Sequence, residues 1–195
     1  MKIVILGMGS AAISIANIIS NEYNYEVVGF VGTDEENKKY NGKKIYRNIP
    51  LIGTRKILKD LRKQKIGGFI AAIGDNYIRE KVFYEASNEG LIPINAISRN
   101  AFIENDAIIK SGIVIGSGSV IQHGVEIGDN TFISSGCILN FKSKISENCF
   151  ISPGCVMGSK TVIEKNVLIG SRSVINSKIK VGKNQIIESN QVINS

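Results

Sequence analysis

The stretch IVIGSGSVIQHGVEIGDNTFISSGCILN (Ile113–Asn140) carries an aliphatic residue at every sixth position: Ile115, Ile121, Ile127, Ile133 and Leu139. The register extends without a slip in both directions. It takes in Ile97, Ile103 and Ile109 upstream, and Ile145, Ile151, Met157, Ile163, Ile169, Ile175, Val181, Ile187 and Ile193 downstream. In a chain that is 43% hydrophobic, so long an unbroken series is not chance. An α-helix repeats near 3.6 residues and an isolated strand at 2. A period of six means a short strand plus a turn, with one aliphatic side chain always pointing into a common core. That is the hexapeptide repeat of a parallel β-helix, three hexads to a triangular coil and about five coils stacked roughly 4.8 Å apart.

The other hexad positions agree. Two residues before the aliphatic stands mostly a small or β-branched side chain, such as Ser119, Val125, Thr131, Cys137, Cys149, Cys155, Thr161 and Ser173, suited to a narrow interior. Gly often follows the aliphatic (Gly116, Gly128, Gly158, Gly170, Gly182), where a tight corner is expected to demand a positive φ. Asn130, Asn148, Asn166 and Asn184 lie near the corners too, and Asn tolerates the left-handed region.

Residues 1–96 read differently, as strands alternating with helices. KIVILG (Lys2–Gly7), EVVGFV (Glu26–Val31) and GFIAAIG (Gly68–Gly74) are strand runs, and helices are expected from Ser10, over 54–65 with Thr54 as its cap, and over 76–89. This alternation means a parallel sheet with ligands at the carboxyl ends of its strands. The turn Gly7-Met8-Gly9-Ser10 enters a helix and would let backbone N–H groups face a phosphate. Ala12 occupies the third glycine position of the dinucleotide fingerprint, and Gly32-Thr33 follow the second strand where a ribose-binding acid would stand. These departures argue against a dinucleotide dehydrogenase and for a mononucleotide half-site.

Three Cys at the inward hexad position, no C-x-x-C and a single His leave no metal site to expect; the thiols read as buried small hydrophobes. No apolar run reaches membrane-spanning length and no signal-peptide pattern opens the chain, so a cytoplasmic protein without a membrane partner is expected. The net charge of +7 suits anionic ligands. The cations read as spread along the chain, which favours small phosphate-bearing ligands over nucleic acid.

A Rossmann-like domain (1–96) followed directly by a hexapeptide solenoid (97–195) resembles the NeuD/PglD-type sugar O-/N-acyltransferases. The segments VILGMGSAA (Val4–Ala12), VVGFVGTD (Val27–Asp34), IPLIGT (Ile49–Thr54), AAIGDNYIREKV (Ala71–Val82) and VLIGSRSVI (Val167–Ile175) carry the resemblance. It implies a left-handed β-helix, a homotrimer, and transfer of an acyl group, acetyl by default, from acyl-CoA to the amino group of a nucleotide-linked amino sugar in surface-glycan biosynthesis. The UDP or TDP of that sugar would meet Gly7, Gly9, Ser10, Asp34, Gly74, Asp75 and Asn76, although Asp75 is equally a helix cap. Acyl-CoA would lie in a groove between solenoids near Phe150, Gly158, Gly170 and Ser171. Phe132, Phe141 and Phe150 fall outside the aliphatic register and are expected as exposed aromatics at an interface or groove wall.

The chain departs from the family where the catalytic base is concerned. The family's I-x-H-[ED]-x-x-I-G pattern falls on LNFKSKIS (Leu139–Ser146), with Phe141 at the His position and Lys142 at the acid. The only His is His123, eighteen residues earlier and so one coil away on the same edge. Three readings stay open: His123 serves as base with the acceptor displaced by one coil; the sugar amine reacts with no protein base; or the chain is a non-catalytic trimeric solenoid. A sugar O-acetyltransferase is disfavoured where no base exists, since a hydroxyl needs one.

Overall fold

The computed structural model describes residues 1–194. The chain forms two compact units, Met1–Ala96 and Ile97–Ser195.

The first unit is built on a sheet of β1 (Lys2–Leu6), β2 (Glu26–Gly32), β3 (Lys44–Tyr46), β4 (Ile49–Thr54), β5 (Ile66–Ala71) and β6 (Ile92–Pro93), in the order β3-β4-β2-β1-β5-β6. All neighbours pair in parallel except β3 with β4. β1 and β5 are near-continuous apolar runs because helices cover both faces of a parallel sheet. Those helices are α1 (Ser10–Glu22), α2 (Asp34–Tyr40), α3 (Leu58–Leu61) and α4 (Asn76–Asn88). The chain steps from β1 outward through β2 to β4, then crosses back to β5. The strand order therefore reverses between β1 and β5, which opens a crevice at their carboxyl ends.

Two elements differ from the sequence expectation. IPLIGT is a strand, β4, despite Pro50, because Ile49, Leu51 and Gly53 alternate inward and Leu51 pairs with Phe30 of β2. The helix expected over 54–65 shrinks to a 3-10 turn (Arg55–Ile57) and the single turn α3, and Thr54 makes no side-chain cap. Only Leu58 and Leu61 are buried there, and Lys65 adopts φ 62° to turn the chain into β5. Without a longer apolar stripe, packing does not sustain the helix.

The second unit is a left-handed parallel β-helix of two-residue strands, β7 (Ala96–Ile97) to β23 (Val192–Ile193), arranged as three parallel sheets of six, six and five. Every strand pairs with the one eighteen residues on: Ile115 with Ile133, Leu139 with Met157, Ile145 with Ile163. The aliphatic column is fully buried from Ile115 to Val181, each side chain contributing about 1.5–3 kcal/mol of burial. The small residues two before it are buried as well, and their donors reach a backbone carbonyl fifteen residues on. Ser119 donates to Ser134 at 2.9 Å, Thr131 to Ser146 at 3.0 Å, Cys149 to Glu164 at 3.0 Å and Ser173 to Glu188 at 2.8 Å.

The corner glycines act otherwise than expected. Gly116, Gly128, Gly158 and Gly170 do not have positive φ; they are glycine because the next coil leaves no room. A Cβ there would stand 2.4–2.5 Å from the backbone N of Ser135, Glu147, Ser177 or Ser189. The left-handed residue is two further on and recurs every sixth position, from Gly112 to Asn190. One corner fills it with Asn130, Asn148, Asn166 and Asn184, whose amides chain together at 2.8, 2.8 and 2.9 Å. Lys142, Lys160, Arg172 and Lys178 adopt the same backbone without that compensation, at about 1–2 kcal/mol each.

Gly128→Ala is expected to lower stability by about 1–3 kcal/mol through overpacking against Glu147, whereas Gly182→Ala, whose Cβ meets nothing closer than 3.7 Å, should be neutral; thermal unfolding compares the two. A second expectation concerns the thiols. Burial pushes Cys137 up to about 12 from an ordinary 9 and raises Cys155 in the same direction. Folding thus favours the neutral thiol. That stabilisation is complete below about pH 9 and declines as pH climbs towards about 12. Native protein at pH 8 should not react with a thiol-specific chromophore, and urea-unfolded protein should react at all three Cys.

Candidate functional site

The crevice at the switch point encloses about 500 Å³. Its floor is the ends of β1 and β5 with the turns that follow, Gly7–Gly9 and Ala72–Gly74; its walls include Thr33, Glu36, Arg55, Ile78 and Lys81. Gly7 adopts φ 118°, and a Cβ there would strike the Ala72 carbonyl oxygen at 2.6 Å, so no other residue fits that turn. Gly9 and Gly74 have nothing within 4 Å of an added Cβ: they border open space.

The helix ends around the crevice are not equivalent. Asp75 accepts from the Ile78 N–H at 2.8 Å and caps α4. Thr33 and Glu36 form a capping box on α2, with the Glu36 carboxylate accepting from the Thr33 N–H at 2.7 Å. The N-terminus of α1, by contrast, follows Gly9 and has neither a side-chain cap nor an acid in its first turn. Its free N–H groups and positive dipole end therefore face outward for an anion. Arg55 and Lys81 add positive charge to the walls; Arg55 is held 3.3 Å from Glu85.

Of the residues expected to meet a nucleotide, the crevice brings together Gly7, Gly9 and Gly74. Ser10 is the exposed first residue of α1. Asp34 lines an adjoining recess, where Lys56 lies 3.4 Å from its carboxylate. Asp75 is the α4 cap. The Asn76 side chain is buried, accepting from Arg79 at 2.7 Å. Glu36, Arg55 and Lys81 went unmarked in the sequence, although the spacing Thr33-x-x-Glu36 is a capping-box signature that places α2 and turns an acid towards the end of β2.

On the solenoid, His123, Phe141 and Gly158 share one edge at successive coils. The His123 ring stacks on Phe141 with centroids 5.7 Å apart and planes 12° from parallel. Its Nδ1 lies 2.8 Å from the Asp106 carboxylate, which also accepts from the Gly124 N–H at 3.0 Å. Asp106 was not singled out from the sequence; its signal is a spacing of seventeen from His123, one coil less one residue. The pairing fixes Nδ1 as the protonated nitrogen and leaves Nε2, on an exposed ring, free to accept a proton. Gly170 and Ser171 stand at a different corner from Gly158. Phe150 lies on a flat face, half-buried and stacked on Phe132 at 4.7 Å. Phe132 is itself 8% exposed, contrary to the expectation of an open aromatic stack. Among the described residues no group of His, Cys, Asp and Glu is arranged to hold a metal.

Comparison with known proteins follows the two-unit division. Residues 2–86 match the family model of the PglD N-terminal domain, and residues 97–195 that of the GMPPB C-terminal domain. PerB from Caulobacter crescentus, solved in complex with CoA and GDP-perosamine, is similar over 100% of this chain and 89% of its own, with a TM-score of 0.59 at 22% identity. The acetyltransferase domain of PglB from Neisseria gonorrhoeae is similar over 97% of both chains, with a TM-score of 0.58 at 19% identity. The uncharacterized protein L142 of Acanthamoeba polyphaga mimivirus is 33% identical over 84 residues, 43% of this chain, and the chain spans only 16% of that protein's length.

Gly74→Leu puts a side chain at the rim of the crevice, where an added Cβ meets nothing within 4 Å. It should leave the melting temperature nearly unchanged while weakening binding of a nucleoside diphosphate sugar at least tenfold by calorimetry. Gly7→Val should instead lower stability by several kcal/mol, since both its φ and its contact with Ala72 forbid a side chain.

Proposed function

Because the chain belongs to the NeuD/PglD-type sugar acyltransferases, we propose that it moves an acyl group, acetyl by family usage, from acyl-CoA to the amino group of a nucleotide-linked amino sugar in surface-glycan biosynthesis. The observation that carries the reading is the Asp106–His123 pair at 2.8 Å on a solenoid edge. It supplies, one coil before Phe141, the base that the family's usual position lacks.

In the proposed reaction the sugar amine attacks the thioester carbonyl while the His123 Nε2 takes the amine's proton. The tetrahedral intermediate expels CoA as thiolate, which the imidazolium reprotonates. Asp106 holds the tautomer and stabilises the imidazolium. The nucleotide is proposed to sit in the crevice of the first unit, its phosphates at the open end of α1 near Gly9, with Arg55 and Lys81 as the flanking cations. UDP, TDP and GDP all meet these requirements.

A trimer is proposed with it. One face of the solenoid presents the outward column Phe102, Val120, Ile138, Val156, Val174 and Val192, with Phe102 at 59% and Val192 at 58% exposure, an apolar surface that a second copy would cover. Acyl-CoA is then proposed along the edge near Gly158, in the groove that two copies form. One second reading has support of its own: with His123 available as base, a sugar hydroxyl can serve as acceptor, and a panel of amino and hydroxy sugars separates N- from O-acylation.

Release of CoA thiol from acetyl-CoA over a panel of nucleotide amino sugars is the direct test; no release with any member would leave a non-catalytic solenoid. If His123 is the base, His123→Asn should lower kcat by about 10²–10⁴ while leaving CoA binding intact. Asp106→Asn should lower kcat with little change in KM. A loss under tenfold at His123 would mean that the amine reacts without a protein base, and a gain in rate on Phe141→His would return the base to the family's coil.

A further inference from the structure

KKYNGKKIYR (Lys38–Arg47) packs five cations and two Tyr into ten residues, and none of them lines the crevice. It runs from the last turn of α2 through β3. The five cations are all exposed, and none pairs with a carboxylate among the described residues. Three of them stand over the two rings, and Lys44 donates to Asn48 at 3.0 Å. Lys39 and Lys43 stand 5.0 and 5.8 Å from the centroid of Tyr40, and Arg47 stands 5.3 Å from that of Tyr46. The Tyr46 hydroxyl and the Arg47 guanidinium are tied to Asn17 of α1, so the hairpin is held against the body of the unit.

Its position sets it apart from the substrate site. β4 runs parallel to β2, and β3 lies against the start of β4, with Tyr46 opposite Ile49. The cluster therefore lies along the outer edge of the sheet beside the first half of β4, with the Lys43 carbonyl accepting from the Leu51 N–H, two strands or more from the β1 and β5 turns that floor the crevice. None of these cations lines the crevice, and five like charges crowded into ten residues repel one another until an anionic partner arrives.

We propose that this hairpin seats the protein on an anionic membrane surface. Both rings are half-buried and carry their own cations, so neither offers a free face for a nucleobase to stack on. A flat sheet of anionic headgroups requires only a cluster of exposed cations. The expectation of no membrane partner rested on the lack of a spanning segment, and no helix here is long and apolar enough to cross a bilayer. Surface attachment is a different requirement, met by charge.

Co-sedimentation of the full chain with vesicles of equal parts phosphatidylglycerol and phosphatidylcholine tests the proposal, against pure phosphatidylcholine as control. Binding is expected to the first only, and to fall steeply as salt is raised. Replacing Lys38, Lys39 and Lys43 by Gln should weaken binding about a hundredfold, at roughly fivefold per cation, with circular dichroism and nucleotide-sugar binding unchanged. Replacing Lys144, Lys160 and Lys178 of the solenoid by Gln should leave it within a factor of a few. The proposal is overturned if wild type does not pellet with the anionic vesicles, or if the two triple variants lose binding equally. It is also overturned if a single-stranded oligonucleotide binds the hairpin more tightly than the vesicles do.

Discussion

Each residue of the solenoid stands about 4.8 Å from the residue eighteen places later, and nearly every feature of that unit follows from this one spacing. At that distance a column tolerates only side chains that are compatible with copies of themselves. Aliphatics stack inside and Asn amides chain along one corner. Where the coils approach so closely that a Cβ would meet the backbone above, only Gly remains. The same rule carries the Asp106–His123 pair and the His123–Phe141 stack, which are neighbours in space because they are neighbours in coil number.

The first unit obeys a different constraint. Its strand order reverses between β1 and β5, and the chain must leave β1 by a turn that passes against the Ala72 carbonyl. Gly7 meets that demand. The consequence is an α1 whose first N–H groups are uncapped, beside two helices, α2 and α4, whose ends are closed by Thr33, Glu36 and Asp75. Capping two ends and leaving one bare concentrates the positive dipole at a single point of the crevice, which is what an anion-binding site requires.

The solenoid was legible in the sequence because a period of six over so many turns has no other physical explanation, and β1, β2 and β5 because buried parallel strands are continuous apolar runs. β4 was not among the strand runs read from the sequence, since Pro50–Gly53 read as the approach to a helix; inward-facing Leu51 and its pairing with Phe30 make it a strand. The helix over 54–65 was overread from Thr54 as its cap; Leu58 and Leu61, the buried residues there, anchor one turn but no more. The corner glycines were identified by position and misread by cause: a positive φ and a steric limit from the next coil both select Gly, and one sequence does not separate them. Glu36, Arg55, Lys81 and Asp106 act through the three-dimensional path of the chain. Of these, only Glu36 and Asp106 had spacings that would have exposed them.

A repeat of this kind also changes what it means for a site to be lost. On an irregular fold, a Phe at the family's His position would leave a distant His with no route to the same role. On a solenoid, position is given by edge and coil, and a His eighteen residues away lies on the same edge, one coil along. The edge is preserved, and with it the direction in which the ring projects. What must be supplied anew is the orienting acid, because the family's neighbour has become Lys142. In the proposed reading Asp106 takes that role from the coil below, where its carboxylate lies 2.8 Å from the His123 Nδ1 and accepts from the adjacent Gly124 N–H. Moving a base along a solenoid thus needs two substitutions of the right spacing and no change in backbone, a smaller step than building a site afresh.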